Sequence, residues 1–266
     1  MLITKNDKEL LNSLFIRLKL KNETQKLSKD KECKIAQIIA YLEIIHAQIK
    51  KYSKKREIIF IDSCSGNSYL SFLVNYYFSR INSRPLKIHC IDTNKNLMQK
   101  GKTIAQMLNF KNMFFHTSDI LEFNYDKKID LVYTLHACDS ATDKTIFFGL
   151  KNNSRCILSV SCCQHNNLKK YKNTRYRSIS QHSIFKEKLT YMAAESMRAL
   201  LLELRGYHTD IFEFVSSRYT DKNIILRAKK SNQKDSNTLL NEYQKLKNEF
   251  NFAPHLENYL NIKTTK

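Results

Sequence analysis

The stretch Ile58-Ile59-Phe60-Ile61-Asp62-Ser63-Cys64-Ser65-Gly66-Asn67-Ser68-Tyr69-Leu70 constrains the fold of this chain more than any other. Its consecutive apolar residues, most of them β-branched, read as a strand buried on both faces. The small residues after Asp62 make a turn over which a ligand can approach the backbone closely. From Tyr69 a helix begins, and its first amide donors point into the same space. A strand that enters a helix through such a turn is how α/β proteins build a nucleotide cradle.

From Glu57 onward strand and helix patterns alternate, which predicts a parallel sheet. Strands are expected at 57–61, 86–91, 112–117, 129–135 and 155–161, with helices over 69–81, 94–109 and 141–150 between them. A longer helix over 185–204 is stopped by Gly206. Two closely spaced strands, 208–215 and 223–229, then read as a hairpin that inserts one antiparallel strand. Five βα units followed by a hairpin is the order of a class I methyltransferase. The expected fold is therefore α/β and Rossmann-like, with a seven-stranded, mostly parallel sheet ending in an antiparallel hairpin.

Ile35, Ile38, Ile39, Leu42, Ile45 and Ile49 recur at helical spacing, so 31–52 reads as an amphipathic helix, preceded by a shorter one over 9–20. Leu239, Leu240, Tyr243, Leu246 and Phe250 mark another helix over 238–250. The expected organisation is an N-terminal helical segment (1–56), a sheet domain (57–230) and a C-terminal helical tail (231–266), with the N-terminal helices added to the sheet.

Lys and Arg number 45 against 25 Asp and Glu, a formal net charge of +20. Such an excess favours a polyanionic partner such as nucleic acid, although a lysine-rich composition can also be general to a proteome. The cluster Lys50, Lys51, Lys54, Lys55 and Arg56 reads first as a solvated helix end favoured by the dipole. The seven cysteines contain no CxxC pair, and no apolar leader is recognisable, so reduced thiols in a cytoplasmic protein are expected. No window approaches the roughly 20 apolar residues that span a bilayer, so no membrane partner is expected.

Carboxylates stand at the expected carboxyl ends of the first three strands. Asp62 follows the first, Asp92 the second, beside Thr93, and Asp119 the third, beside Ile120. A carboxylate at the Asp92 position accepts hydrogen bonds from both ribose hydroxyls of a nucleoside ligand, and Asp119 is placed to reach an adenine amine. Any one of them can equally cap the next helix; three in succession at strand ends point to a ligand.

The fourth strand is followed by Leu135-His136-Ala137-Cys138-Asp139-Ser140-Ala141-Thr142-Asp143, and the fifth by Cys162-Cys163-Gln164-His165. Further on stand Arg198-Ala199-Leu200-Leu201-Leu202-Glu203, Glu213-Phe214-Val215, Thr220-Asp221-Lys222-Asn223 and Arg227-Ala228. In these segments the chain resembles the class I methyltransferases grouped with the eukaryotic transfer-RNA 2′-O-methyltransferases, and more closely their bacterial relatives. The resemblance spans about 57–230. It implies S-adenosylmethionine as cofactor, held by Asp62, Cys64, Ser65, Gly66, Ser68, Asp92, Thr93, Asp119, Ile120 and His136, and RNA as the substrate class. Where Cys64 stands most of those proteins carry glycine, so here a Cβ and a thiol crowd the turn. Acceptors other than RNA, a small molecule or a protein, and a catalytically silent RNA-binding module are the alternatives.

Methyl transfer from a sulfonium needs mainly in-line positioning and exclusion of water. A base is required only where the acceptor carries a proton, and His136 and Asp139 are the candidates. Each has a plainer reading, His136 as a strand-end imidazole satisfied by backbone and Asp139 as a cap for the helix at Ala141; Asp143 reads as helix-dipole compensation. Cys162 and Cys163 suit three roles: packing that shapes the target pocket, a nucleophile for carbon methylation, or metal ligands together with His136, Cys138 and His165. Packing is the favoured reading, and no resident metal is expected. Gln164 can orient a base edge through its amide. Lys170, Tyr171, Lys172, Arg175, Tyr176 and Arg177 interleave basic heads with rings, the pattern that holds single-stranded RNA; a solvated lid is the alternative.

Overall fold

Strand β1 (Ile58–Ser63) is buried at every position, as is β5 (Cys156–Ser161), which is what continuous apolar runs produce when both faces are covered. The computed structural model describes residues 5–21, 28–171, 175–231 and 236–262. The other strands are β2 (Leu86–Asp92), β3 (Met113–Thr117), β4 (Leu131–Ala137), β6 (Tyr207–Glu213) and β7 (Ile224–Lys230). They follow the sheet order β3-β2-β1-β4-β5-β7-β6. β1 pairs parallel with β2, β2 with β3 and β4 with β5, whereas β7 runs antiparallel to β5. The expected mostly parallel sheet with a terminal hairpin is the one observed.

The described residues fall into two compact units, one reaching Phe123 and including Glu213–Ile224, the other Asn124–Phe212 with the chain from Ile225 onward. In the first unit α1 (Lys5–Arg17) and α2 (Lys29–Ile49) precede the sheet. α2 buries Ile38, Tyr41, Leu42, Ile45 and Ile49, the face set by its apolar spacing. α3 (Tyr69–Tyr76) continues into a π-helical turn (Tyr77–Ile81), and α4 (Lys95–Met107) links β2 to β3.

The second unit holds α5 (Ser140–Lys151), α6 (His165–Lys170), α7 (Arg177–Ser180), α8 (Ser183–Glu203), α9 (Ser236–Phe250) and α10 (Leu256–Tyr259). α6, α7 and α10 are too short to show a 3.6-residue period and escape a pattern-based reading. Tyr243 of α9 and Leu256 of α10 are wholly buried in one core with Ile157, Met197, Leu201 and Leu226. The apolar stripe of α9 thus folds back onto this unit.

The core also encloses charge. Arg198 has no exposed surface; its Nε donates to Asp143 Oδ1 at 2.7 Å and its Nη1 to Glu195 Oε1 at 2.5 Å. Asp143 Oδ2 also accepts the backbone N–H of His255 at 2.9 Å. The dipole reading of Asp143 is therefore superseded: its carboxylate is 1% exposed and is the counter-ion of a buried guanidinium. No described helix is long and apolar enough to cross a membrane.

Candidate active site

The cradle of the first unit is a turn of unusual backbone. Cys64 (φ +56°), Gly66 (φ +53°) and Ser68 (φ +55°) all adopt the left-handed conformation. Ser65 N donates to Ile91 O at 3.1 Å and Ser68 N to Ser65 O at 2.7 Å, which folds the turn back over the end of β2. A Cβ added at Gly66 would meet nothing within 4 Å, so this glycine answers the backbone conformation while the space above it stays open.

Asp92, the last residue of β2, closes the cradle: Oδ2 accepts Gly66 N and Oδ1 accepts Asn94 N, each at 2.9 Å. A carboxylate offers about four acceptor sites, so two remain for ligand hydroxyls. Asn94 caps α4 through Leu97 N, Thr93 is exposed, and Asp119 Oδ1 accepts Leu121 N at 3.0 Å in an Asx turn beside buried Ile120.

Asp62 does not end its strand facing a ligand, as expected, but lies within β1, 3% exposed, and accepts Ser71 Oγ at 2.6 Å. Burial raises its pKa to about 7. It ties the strand to α3 and positions the turn; Ser68, 1% exposed, belongs to the same buried layer.

Cys64 is the odd residue. Burial pushes its thiol pKa up, so the group is a neutral thiol. A β-carbon in the left-handed region costs roughly 1–2 kcal/mol, partly offset by the chain entropy that a non-glycine residue saves. Cys64→Gly is expected to raise stability by up to about 1 kcal/mol and to leave cofactor affinity unchanged or improved, as read by urea denaturation and calorimetric titration. A clear loss of stability would show that packing of the thiol outweighs the strain.

In the second unit the loops after β4 and β5 carry the remaining candidates. The pairing of β4 with β5 shifts between Leu135 and Ala137, so His136 is a bulged residue, at φ +64°. Burial lowers its imidazole pKa, which leaves the ring neutral near pH 7 and able to accept a proton. Asp139 makes no cap bond to α5; both of its carboxylate oxygens lie 3.3 Å from the N–H of Asn166, at the start of α6.

Gln164 is 4% exposed and spent internally, donating to Ser161 Oγ and Glu195 Oε1 and accepting from Asn167. Its expected role toward a base edge is corrected: its amide braces the loop against the Glu195–Arg198 pair. Cys138 and Cys162 are joined as a disulfide, contrary to the expectation of reduced thiols throughout. In that form Cys162 is no nucleophile. Cys163 keeps its thiol, 3.9 Å from Cys162 Sγ.

The basic, tyrosine-bearing segment divides. Lys170 and Arg177 are exposed, and Arg175 is exposed but paired with Glu249 at 2.8 Å. Tyr176 is half-buried, stacked on Phe250 with ring centroids 6.2 Å apart. Tyr171 is 3% exposed, packed in the core, and cannot stack on a base as expected. Lys172 lies outside the described residues. Phe185, 52% exposed on α8 and edge-on to His182, is an exposed ring of this region, and a lone aromatic at a helix start does not announce itself in the sequence.

A parallel sheet extended by an antiparallel hairpin, with a glycine-bearing turn after β1 and a carboxylate ending β2, is the class I methyltransferase fold. A family model for a methyltransferase domain matches residues 33–170, more than half of the chain, which therefore belongs to that family. No functionally curated protein matches it.

The fold is shared with magnesium protoporphyrin IX methyltransferase from Synechocystis PCC 6803, solved with bound S-adenosylhomocysteine (TM-score 0.50, 13% identity, 85% of this chain and 100% of that one). It is shared also with a class I S-adenosylmethionine-dependent methyltransferase described as putative, from Listeria monocytogenes (TM-score 0.51, 12% identity, 84% of this chain and 68% of that one). The cofactor of this fold is S-adenosylmethionine. The residues present fit it: the space above Gly66 is open, and Asp92 retains acceptor capacity for ribose hydroxyls.

Proposed function

We propose that this methyltransferase acts on RNA, transfer or ribosomal. The observation that carries the reading is the net charge of +20, together with exposed Lys169, Lys170, Arg177 and Lys188 on and beside α6–α8. Such a surface neutralises phosphates, and binding through it weakens as salt rises. Phe185 offers a ring on which an unpaired base stacks.

S-adenosylmethionine supplies a sulfonium-bound methyl that needs no further activation. Asp92 would accept hydrogen bonds from its ribose hydroxyls, the Cys64–Gly66 turn would bring backbone close to it, and Asp119 would serve its adenine end. His136, neutral near pH 7, takes the proton of an acceptor that carries one, such as a ribose hydroxyl. Asp139 and Gln164 hold the loops that frame it.

The test is incorporation of label from tritiated S-adenosylmethionine into total RNA of a strain lacking the gene. Label is expected in RNA, to be lost after nuclease treatment of the substrate. Label that persists in nuclease-treated extract assigns a small-molecule or protein acceptor. RNA binding without any transfer assigns a silent binding module; either result overturns the proposal.

A further inference from the structure

We propose that Cys138, Cys162 and Cys163, when reduced, form a binding site for a thiophilic divalent cation, Zn(II). The assignment is independent of the acceptor proposed above. All three Sγ atoms lie within 4.8 Å of one another, and no imidazole or carboxylate among the described residues joins them.

The bulge is what brings them together. Leu135 pairs with Val160, but after the extra residue His136 the next pair is Ala137 with Ser161. Cys138 and Cys162 therefore leave neighbouring parallel strands side by side, with Cα atoms 5.7 Å apart. With His136 paired in register instead of bulged, Cys138 would align with Cys163 and the side-chain alternation of one strand would be inverted. A histidine at φ +64° is a costly way to arrange a loop, roughly 1–3 kcal/mol, and here it sets the register of two sulfur-bearing residues.

The spacing suits a metal. Tetrahedral zinc with Zn–S bonds of about 2.3 Å separates its sulfurs by about 3.8 Å. Cys162 and Cys163 are 3.9 Å apart, and the remaining sulfur needs only to move off its disulfide partner. Thiolates select zinc over magnesium or calcium, and with three protein ligands the fourth position is left to solvent. Starting from the disulfide, a dithiol reductant delivers two electrons and two protons to the S–S bond and is itself oxidised. Zinc then displaces the three S–H protons to solvent as three Zn–S bonds form. Bound there, the ion ties the loop after β4 to the loop after β5, the work done by the disulfide in the oxidised form.

The experiment uses the full chain reduced with a phosphine and titrated with Co(II), then Zn(II). Binding of about one cobalt per chain is expected, with thiolate-to-cobalt charge-transfer absorption and the visible bands of a tetrahedral site, all displaced by zinc. Cys138→Ser and Cys163→Ser should each weaken binding by at least the roughly 10–100-fold that even outer-shell partners are worth. Should those variants not fold, the wild-type protein still decides: zinc should slow alkylation of Cys138, Cys162 and Cys163 by iodoacetamide while Cys33, on α2, reacts as before, as read by mass spectrometry. Absence of the charge-transfer band, equal alkylation with and without zinc, undiminished binding in both serine variants, or a Cys138–Cys162 disulfide that survives reduction would each overturn the assignment.

Discussion

Asp92→Ala is expected to lower the affinity for S-adenosylmethionine by roughly 100-fold or more while the protein stays folded. Hydrogen bonds to a charged acceptor contribute about 1.5–3 kcal/mol each, and on the proposed reading the carboxylate receives two from ribose. The substitution also removes the acceptor of Gly66 N and Asn94 N, so the turn that brings backbone to the ligand loses its anchor on β2. Asp92→Asn keeps one acceptor oxygen and should fall between wild type and alanine. Calorimetric titration with S-adenosylmethionine, beside circular dichroism of each variant, reads the effect. Unchanged affinity in a folded Asp92→Ala protein would remove the cofactor from the carboxyl end of β2.

Arg198→Ala is expected to destabilise the protein by about 3–5 kcal/mol, because it strands two buried carboxylates that share one guanidinium. Asp143 and Glu195 would have to take up protons or admit water. By the usual scaling this lowers the melting temperature by roughly 6–20 °C. Arg198→Met combined with Asp143→Asn and Glu195→Gln should recover much of the loss, since the cost lies in unpaired charge rather than in absent attraction. Urea denaturation of the single and triple variants measures both; a stable Arg198→Ala protein would mean that water already reaches the network.

That network explains motif residues that the sequence presents as unrelated. Asp143 closes the segment after β4, Gln164 stands in the loop after β5, and Arg198 opens the Arg-Ala-Leu-Leu-Leu-Glu run of α8. Gln164 and Arg198 both bond Glu195, and Arg198 bonds Asp143. In the sequence Asp143 looks like a helix-dipole residue and Gln164 like a ligand contact, since nothing local reveals that one guanidinium gathers them. Tyr171 misled for the same reason: basic neighbours make a tyrosine look exposed, whereas the core of the second unit encloses it.

The sequence by itself determined the class of fold, the strand–turn–helix cradle and the place of Asp92, because buried strands, left-handed turns and strand-end carboxylates leave local patterns of spacing and residue type. Register and distant pairing were decided only in the tertiary structure. One bulged histidine chooses which cysteine faces which, and the burial of Asp62, Gln164 and Arg198 depends on what packs over them. Hydrogen bonds between residues tens of positions apart carry no periodicity, so chemistry that depends on them becomes legible only once the chain has folded.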